Sequence, residues 1–144
     1  MHIDNLTDSI TILIVDDSIE NREVIRLLLQ EEGYQVLEAE NGSEGLKRLN
    51  DPNYKIKLVI SDILMPVMDG FQFCAKIRKN NKFDNIPFIF FTATYTDNRD
   101  EELGYKLGAH KFLHKPMQPD QILKEISDAI SSYHPEAVKS ITVD

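Results

Sequence analysis

Short apolar segments rich in β-branched residues alternate along this chain with longer amphipathic stretches. The first apolar segment, residues 10–15 (ITILIV), is almost continuously apolar, which is typical of a strand that is buried on both faces. The pattern occurs five times, and each apolar segment is followed by residues with a helical spacing of apolar side chains. Strands that alternate with helices in this way form parallel sheets covered by helices. The sequence therefore predicts an α/β fold of five βα units.

The apolar segments and the breakers between them set the expected bounds of each element. Strands are predicted at residues 10–15, 34–39, 57–61, 87–91 and 111–113, and helices at about 19–32, 43–50, 71–79, 97–107 and from 119 onward. In the first helix, Val24, Leu27 and Leu28 have i, i+3/i+4 spacing, which predicts that they face the sheet with Ile25 and Leu29 beside them.

Length and composition narrow the class of protein. The chain has 144 residues, a net charge of −8 and one cysteine. We expect one domain at residues 9–133, with flexible terminal segments or linker remnants at 1–8 and 134–144. The acidic balance argues against nucleic-acid binding, and a single cysteine excludes both an internal disulfide and a multi-thiolate zinc site. No apolar run approaches the ~20 residues that span a bilayer, so we expect a cytoplasmic protein.

Polar residues follow four of the five predicted strands. Asp16 and Asp17 come after the first strand, Asp62 after the third, Thr92 after the fourth, and Lys115 just past the fifth. In open α/β sheets, ligands bind outside the carboxyl ends of the strands, where the strand order reverses. With the order 2-1-3-4-5, that point lies between the first and third strands. The three acids are therefore expected to meet there, with the hydroxyl and the amine nearby.

This set of side chains suits phosphoryl transfer. Three carboxylates in one crevice repel one another unless a cation joins them, and oxygen ligands without His or Cys favour Mg²⁺. A carboxylate can attack a phosphoryl group to form an aspartyl phosphate. The transfer needs positive charge and a hydrogen-bond donor at the phosphoryl oxygens, which Mg²⁺, Lys115 and Thr92 can supply.

Four motifs, in this order along the chain, resemble those of the response-regulator receiver domain of two-component signal transduction. They are Asp16-Asp17, Asp62-Ile63-Leu64-Met65-Pro66 continuing to Met68-Asp69-Gly70, Thr92-Ala93, and Lys115-Pro116. The resemblance covers about residues 9–133. It implies a flavodoxin-like, doubly wound (βα)5 fold whose five-stranded parallel sheet has the strand order 2-1-3-4-5.

The resemblance also implies which residues accept the phosphoryl group and bind the metal. Asp62 is expected to be the phosphoacceptor. Asp17 and Asp62 are expected to bind Mg²⁺ directly, together with the backbone carbonyl of Leu64. Asp16 is expected to act mainly through a bound water. Asp69 and Gly70, by contrast, are expected to supply a turn and the start of a helix.

A second group of residues is implied to sense the phosphoryl group. Thr92 and the backbone of Ala93 are expected to bind it, and Lys115 to pair with it, or with a carboxylate in the unmodified state. Phe112, three residues before Lys115, matches the aromatic switch position. The Lys115-Pro116 bond is expected to be cis, since X-Pro bonds tolerate that geometry at low cost.

Two positions depart from a generic receiver pattern. Leu64 and Thr94 lie two residues beyond the acceptor and the hydroxyl, at positions that in this family influence how long the phosphoryl group lasts. Leu64 is apolar and cannot orient an attacking water, so we predict slow self-dephosphorylation. Phe112 has no hydroxyl, so its rotation can act only through packing.

The implied function is a phosphorylation-controlled switch. The donor is expected to be a phosphohistidine on a histidine kinase or a histidine phosphotransfer protein. Phosphorylation is expected to reshape the surface of the fourth helix, fifth strand and fifth helix, where a downstream protein or a second copy of the chain could bind. Such a domain modifies itself and is not a turnover enzyme. No contact with nucleic acid or membrane is expected.

The same residues also admit other interpretations. Taken singly, Asp17 could cap the following helix, Thr92 could be a packing residue, and Lys115 could be a solvated charge. A phosphorylation-independent interaction module with this fold would not need the Mg²⁺ ligands. A flavodoxin-like FMN carrier needs a Ser/Thr/Gly-rich loop after the first strand, and an aspartate-nucleophile phosphohydrolase needs an Asp-x-Asp motif there. Neither pattern is present.

Overall fold

The computed structural model of the chain describes residues 10–135. Its parallel strands are β1 (Thr11–Val15), β2 (Gln35–Ala39), β3 (Ile56–Ser61), β4 (Phe88–Thr92) and β5 (Lys111–His114), in the order β2-β1-β3-β4-β5. The helices are α1 (Ile19–Glu31), α2 (Gly42–Asn50), α3 (Gly70–Arg78), α4 (Asn98–Lys106) and α5 (Pro119–Ser132), with a 3-10 turn at Asn81–Phe83. The predicted α/β fold and strand order are confirmed. No helix within residues 10–135 is long and apolar enough to cross a membrane.

The predicted terminal segments fall almost entirely outside this range. Residues 1–8 lie outside the described residues, as do residues 136–144 of the predicted segment 134–144.

Local side-chain chemistry explains where the helices begin and end. The hydroxyl of Ser18 caps α1, and Asp69 and Asp97 form capping boxes at the starts of α3 and α4. Pro119 occupies the first turn of α5, where a missing N–H costs nothing. Gly33 has a positive φ of 94° just after α1, a backbone conformation that glycine adopts at helix ends.

The observed bounds differ from the predicted ones by at most one residue at each end, and at one place the difference matters. The sequence places Thr92 after the fourth strand, whereas it is the last residue of β4. Thr92 pairs with His114 in the register of β4 and β5, and its carbonyl accepts the N–H of Lys115 at 2.8 Å. Because this pairing continues to the strand end, Lys115 is fixed beside Thr92.

Two apolar cores lie on opposite faces of the sheet. On one face, aromatic rings of β4 and α3 are central: Phe88 lies 4.8 Å from Phe90 and 5.6 Å from Phe73 between ring centroids. On the other face, Ile12 and Ile126 are among the fully buried residues that join the sheet to α1 and α5. Each such buried side chain contributes roughly 1.5–3 kcal/mol. A sheet covered on both faces explains why every residue of β1 and β4 is buried and all but one in each strand are apolar.

Helix α1 packs on the sheet through a narrower face than the sequence predicts. Ile25 and Leu29 are buried and Leu28 is partly buried, whereas Val24 and Leu27 are 65% and 54% exposed. The prediction that Val24 and Leu27 face the sheet is therefore wrong. Ile25 and Leu29 form one row along the helix, and the two exposed residues lie about 100° or more around the axis from it.

The single cysteine of the chain belongs to the core. Cys74 in α3 is fully buried, and its Sγ lies 3.6 Å from the carbonyl oxygen of Leu107. Burial raises the pKa of the Cys74 thiol to about 12, despite the opposing charge of Arg78. The thiol is therefore unreactive at neutral pH and acts as a small packing group.

Candidate functional site

The parallel register of the sheet brings the predicted polar residues to one edge. Asp16 directly follows β1, and Asp62 directly follows β3. The backbone N–H of Asp62 donates to the carbonyl of Val15 at 2.9 Å, which continues the pairing of the two strands past their ends. The two acids therefore lie side by side at the carboxyl edge, with Thr92 and Lys115 at the ends of the neighbouring strands.

The ammonium group of Lys115 lies between two carboxylates. Its Nζ is 2.9 Å from Oδ2 of Asp16 and 3.5 Å from Oδ2 of Asp62. The three side chains are only 18%, 7% and 13% exposed, respectively, so solvent screens these charges less than it would at an open surface. The Nζ also lies 5.4 Å from the ring centroid of Phe91. One cation thus offsets the repulsion between the two acids.

Asp16 is held by hydrogen bonds from the first turn of α1. Its Oδ1 accepts the backbone N–H of Ser18 at 2.9 Å, and its Oδ2 lies 3.5 Å from the side-chain nitrogen of Asn21. Its carbonyl accepts Nη1 of Arg22 at 2.6 Å, and the same guanidinium contacts Glu38. Sequence reasoning missed Asn21 and Arg22. Both lie within the first four residues of a helix that begins beside Asp16, and this position is the signal that could have indicated them.

Asp62 is positioned by the loop that follows it. Its Oδ1 accepts the backbone N–H of Ile63 at 2.6 Å, and the Ile63 carbonyl accepts the N–H of Gly70 at 2.8 Å. A Cβ at position 70 would lie 2.2 Å from the carbonyl oxygen of Asp62, so the start of α3 can approach the acceptor this closely only with glycine. Gly70 therefore positions the acceptor as well as starting the helix.

Thr92 and Phe112 occupy buried positions in the neighbouring strands β4 and β5. Thr92 is fully buried, and its Oγ1 accepts the backbone N–H of Thr94 at 3.0 Å, which leaves the hydroxyl proton free to donate. Ala93, the next residue, is exposed. The ring of Phe112 is buried 5.3 Å from that of Phe90, and a Cβ at Gly104 of α4 would lie 3.0 Å from it. Phe112 thus links β5 to α4.

The remaining predicted metal ligands are more open. Asp17 is exposed and makes no hydrogen bond or ion pair within the described part of the chain, and Leu64 is 62% exposed. Among residues 10–135, no three acidic, His or Cys side chains are close enough together to form a ready-made metal site. The donors that do converge are all oxygens. Mg²⁺ commonly binds through one or two carboxylates, and water and phosphate complete its coordination shell. The chemical type of these donors therefore suits Mg²⁺.

One expected backbone feature is present at the same edge. The Lys115-Pro116 peptide bond is cis.

Comparisons with known proteins identify the family. The sequence matches the family description "Response regulator receiver domain" over residues 12–127. It is 34% identical over 123 residues to a probable transcriptional regulator, ycf29, of Pyropia yezoensis, covering 85% of this chain and 54% of that protein. The chain thus spans about half the length of this curated relative.

Solved structures agree with that match. Chemotaxis protein CheY4 of Vibrio cholerae has a TM-score of 0.76 and 33% identity, covering 82% of this chain and 96% of that chain. The CheX-CheY-BeF3-Mg²⁺ complex of Borrelia burgdorferi has a TM-score of 0.77 and 25% identity, covering 85% and 90% of the two chains. With the motifs gathered at one edge of a 2-1-3-4-5 sheet, these matches lead to one conclusion: the chain belongs to the family of response regulator receiver domains.

Proposed function

We propose that this domain accepts a phosphoryl group on Asp62 in a two-component phosphorelay, and that the donor is a phosphohistidine of a histidine kinase or a histidine phosphotransfer protein. One observation carries the proposal: Lys115 Nζ lies between the carboxylates of Asp16 and Asp62. A largely shielded ammonium group beside a carboxylate is already in place to bind the oxygens of a phosphoryl group that forms there.

The transfer involves one bond made and one bond broken. An Oδ atom of Asp62 bonds to phosphorus while the P–N bond of the phosphohistidine breaks. The electron pair of that bond returns to the imidazole, which takes up a proton. Since Oδ1 of Asp62 accepts the N–H of Ile63, Oδ2 on the Lys115 side is the oxygen in position to attack.

The neighbouring residues stabilise the charge that develops. Lys115 moves from a carboxylate to a phosphoryl oxygen, and the free hydroxyl proton of Thr92 donates to another. Asp16, Asp17, Asp62 and the carbonyl of Leu64 would hold Mg²⁺, which supplies further positive charge when it is bound. The similarity to a structure whose description names BeF3 and Mg²⁺ supports this choice of metal.

The effect of phosphorylation on the surface of the domain depends on the packing around β5. Phe90, two residues before Thr92 in β4, contacts the ring of Phe112, which also packs against α4, so a turn of Thr92 towards the phosphoryl group would act on Phe112 through this strand. We infer that phosphorylation shifts the population of two packings of Phe112 and so alters the surface formed by α4, β5 and α5. A downstream protein or a second copy of the chain reads that surface, and we place these events in the cytoplasm.

The proposed domain is a self-modifying substrate and not a turnover enzyme. Each molecule accepts one phosphoryl group and later loses it to water. The activity and partners of the whole protein depend on the context of this chain, because its curated relative ycf29 is about twice as long as the matched region.

Intact mass spectrometry tests the proposal. Wild type, Asp62→Asn and the control Asp120→Asn are incubated with acetyl phosphate, with and without Mg²⁺; Asp120 is exposed at the start of α5. We expect one phosphoryl group on wild type and on the control, dependent on Mg²⁺, and none on Asp62→Asn. Equal labelling of Asp62→Asn contradicts Asp62 as the acceptor. No labelling by acetyl phosphate or by a phosphohistidine donor, with Mg²⁺ binding measured separately, favours a phosphorylation-independent interaction module.

A further inference from the structure

A cleft of about 580 Å³ opens at the amino ends of β3 and β4, at the opposite edge of the sheet from Asp62. Its apolar lining includes Tyr54, Phe83 and Ile86, and its basic lining includes Lys55, Lys57 and Lys82. We call it the basal cleft, defined by these six residues. The six residues of β3 separate the cleft from the phosphoacceptor edge by about 20 Å.

A bulge in β3 exposes one of the lysines. Thr11 of β1 pairs with Ile56 and Ile12 pairs with Leu58, so Lys57 is the extra residue between them. Ile56 and Leu58 are buried, whereas Lys57 is exposed even though β3 is an interior strand. Bulges re-aim side chains in this way, and here the bulge directs an ammonium group to the rim of the cleft.

The positive charge of the cleft is only partly offset by the cleft's own acidic residue. No carboxylate in the described part of the chain lies within 4 Å of the ammonium groups of Lys55, Lys57 or Lys82. Asp51 is the one acidic residue in the lining, so the three lysines and this carboxylate together leave a net formal charge of +2. The Nζ of Lys82 lies 5.1 Å from the ring centroid of Phe83, which keeps that charge over the cleft.

The cleft combines these charges with exposed apolar surface. Tyr54 is 43% exposed beside the three lysines. The chain as a whole carries a net charge of −8, so the local charge of the cleft is opposite in sign to the net charge of the molecule. Three lysines around a cleft do not form the extended basic stripe that binding of a long nucleic acid requires. A small inorganic anion would leave the apolar lining uncovered.

We propose that the basal cleft binds a short acidic peptide segment of a partner protein. An apolar side chain of that segment packs on Tyr54 and Ile86, over the largely buried ring of Phe83, and its carboxylates pair with Lys55, Lys57 and Lys82. Because the cleft lies at the opposite edge of the sheet from Asp62, the binding does not require phosphorylation. It would hold the domain near its partners in both states of the switch.

NMR titration of ¹⁵N-labelled protein tests this proposal with a defined probe, acetyl-Glu-Asp-Phe-Glu-Asp-Leu-Glu-amide. We expect saturable shifts of the amides of Tyr54, Ile56 and Phe83, and no comparable shifts at Asp62 or Thr92. The same peptide with Lys in place of each acid is expected to leave the cleft amides unchanged. Absence of saturable shifts at the cleft, or larger shifts elsewhere, overturns the proposal. Chemical shifts at the cleft that depend on the protein concentration and not on the peptide concentration also overturn the proposal. In that case the occupant of the cleft is a second copy of the chain.

Two matched double variants separate a specific site from general attraction. Lys55→Glu/Lys82→Glu changes the cleft, and Lys76→Glu/Lys106→Glu changes the net charge equally at exposed positions in α3 and α4. We expect the first to weaken peptide binding by about tenfold or more, and the second by about twofold or less. Equal weakening by both contradicts a site. Lys57 is left unchanged to keep the bulge intact, and Lys55→Gln/Lys82→Gln provides a milder variant expected to weaken binding by an intermediate factor.

Discussion

At the residue scale, Lys115 determines the charge balance of the phosphoacceptor edge. It is the cation that contacts both Asp16 and Asp62, and both contacts lie in a largely shielded region. A fixed ammonium group in that position has two uses. Before phosphorylation it offsets the repulsion between the acids, and after phosphorylation it can follow the new negative charge.

Gly70 provides a sharp test of how the acceptor is positioned. In Gly70→Ala, the new Cβ meets the carbonyl oxygen of Asp62 at 2.2 Å, and backbone must move to relieve the contact. We expect a loss of about 3 kcal/mol in the free energy of unfolding, at the upper end of overpacking costs, and slower phosphorylation. Urea denaturation and intact mass measure the two effects. Gln72→Ala, which removes the capping box of α3 but adds no Cβ at position 70, is the control. Equal effects of the two variants would contradict the steric explanation.

Leu64 is expected to set the lifetime of the phosphorylated form. Its side chain is 62% exposed and has no polar atom to orient a water molecule for attack on phosphorus. Leu64→Asn supplies an amide that orients the water without taking its proton. We therefore expect the half-life to shorten on the order of tenfold, below the ~100-fold of a positioned acid–base group. Decay is followed by intact mass after removal of the donor, with Leu27→Asn in α1 as control. An unchanged half-life removes the basis for slow self-dephosphorylation.

At the element scale, His114 joins β5 to the loop and helix that follow β4. Its Nε2 lies 2.9 Å from Oγ1 of Thr96 and 3.6 Å from Oε2 of Glu101 in α4, and its ring centroid is 5.4 Å from that of Phe112. These contacts hold the segment that starts at Thr92, so they restrain the region in which the switch is proposed to act.

Removing the ring of His114 should loosen that segment selectively. In His114→Ala we expect amide hydrogen exchange at residues 94–101 to become roughly fivefold to tenfold faster, since a typical hydrogen bond contributes about 1 kcal/mol. Exchange in β1 and β3 should be unchanged. His134→Ala, at an exposed position after α5, is the matched control. Uniform acceleration across the domain, or none at residues 94–101, would show that His114 is no restraint.

Much of the architecture was predictable because it depends on local pattern. Parallel strands must place their carboxyl ends together, so Asp16 and Asp62 could be expected at one edge before any coordinates. Side-chain packing was harder to predict from the sequence. An apolar residue at helical spacing can face the sheet or solvent, and Val24 and Leu27 face solvent because Ile25 and its row already fill the contact with the sheet.

Long-range contacts could not be predicted from the sequence, for a different reason. Lys115 and Asp16 are 99 positions apart, and the length of their contact depends on how β1 and β5 end relative to each other. The need for glycine at position 70 also depends on a distance, namely the close approach of this position to the carbonyl oxygen of Asp62. In the sequence, Asp69-Gly70 has only the pattern of an ordinary helix start. The bulge at Lys57 has no marker in its own residue type, and only the register of β1 against β3 reveals it.

At the scale of the whole molecule, His110 should make stability depend on pH. Burial lowers the pKa of His110 below its ordinary 6.5, and the charges of Lys111 and Arg78 lower it further. Its Nε2 is buried and has no hydrogen-bond partner in the described residues, which also favours the neutral ring. The unfolded chain therefore binds this proton more readily than the folded one. Stability attributable to His110 is complete above pH 6.5 and is lost as pH falls through that value towards the lowered pKa.

His110→Phe isolates this effect because it keeps an aromatic ring 5.2 Å from Tyr133 but cannot titrate. Urea denaturation of both proteins at about pH 7.5 and about pH 5.5 gives the two free energies of unfolding. We expect wild type to lose more stability than the variant over this interval. Protonation of the other titratable groups affects both proteins equally, so the difference is due to His110. Identical losses would mean that His110 binds its proton equally well in the folded and unfolded chains.

The central claim is that the phosphoryl group is carried by Asp62 and by no other acid at this edge. Sodium borohydride reduces an aspartyl phosphate to homoserine, so treatment of the phosphorylated protein followed by peptide sequencing in the mass spectrometer locates the modified residue. We predict homoserine at position 62, dependent on Mg²⁺ and on the phosphodonor, with Asp16, Asp17 and Asp69 unchanged. Homoserine at position 16 or 17, or its absence from a protein that has gained phosphate, would contradict the account.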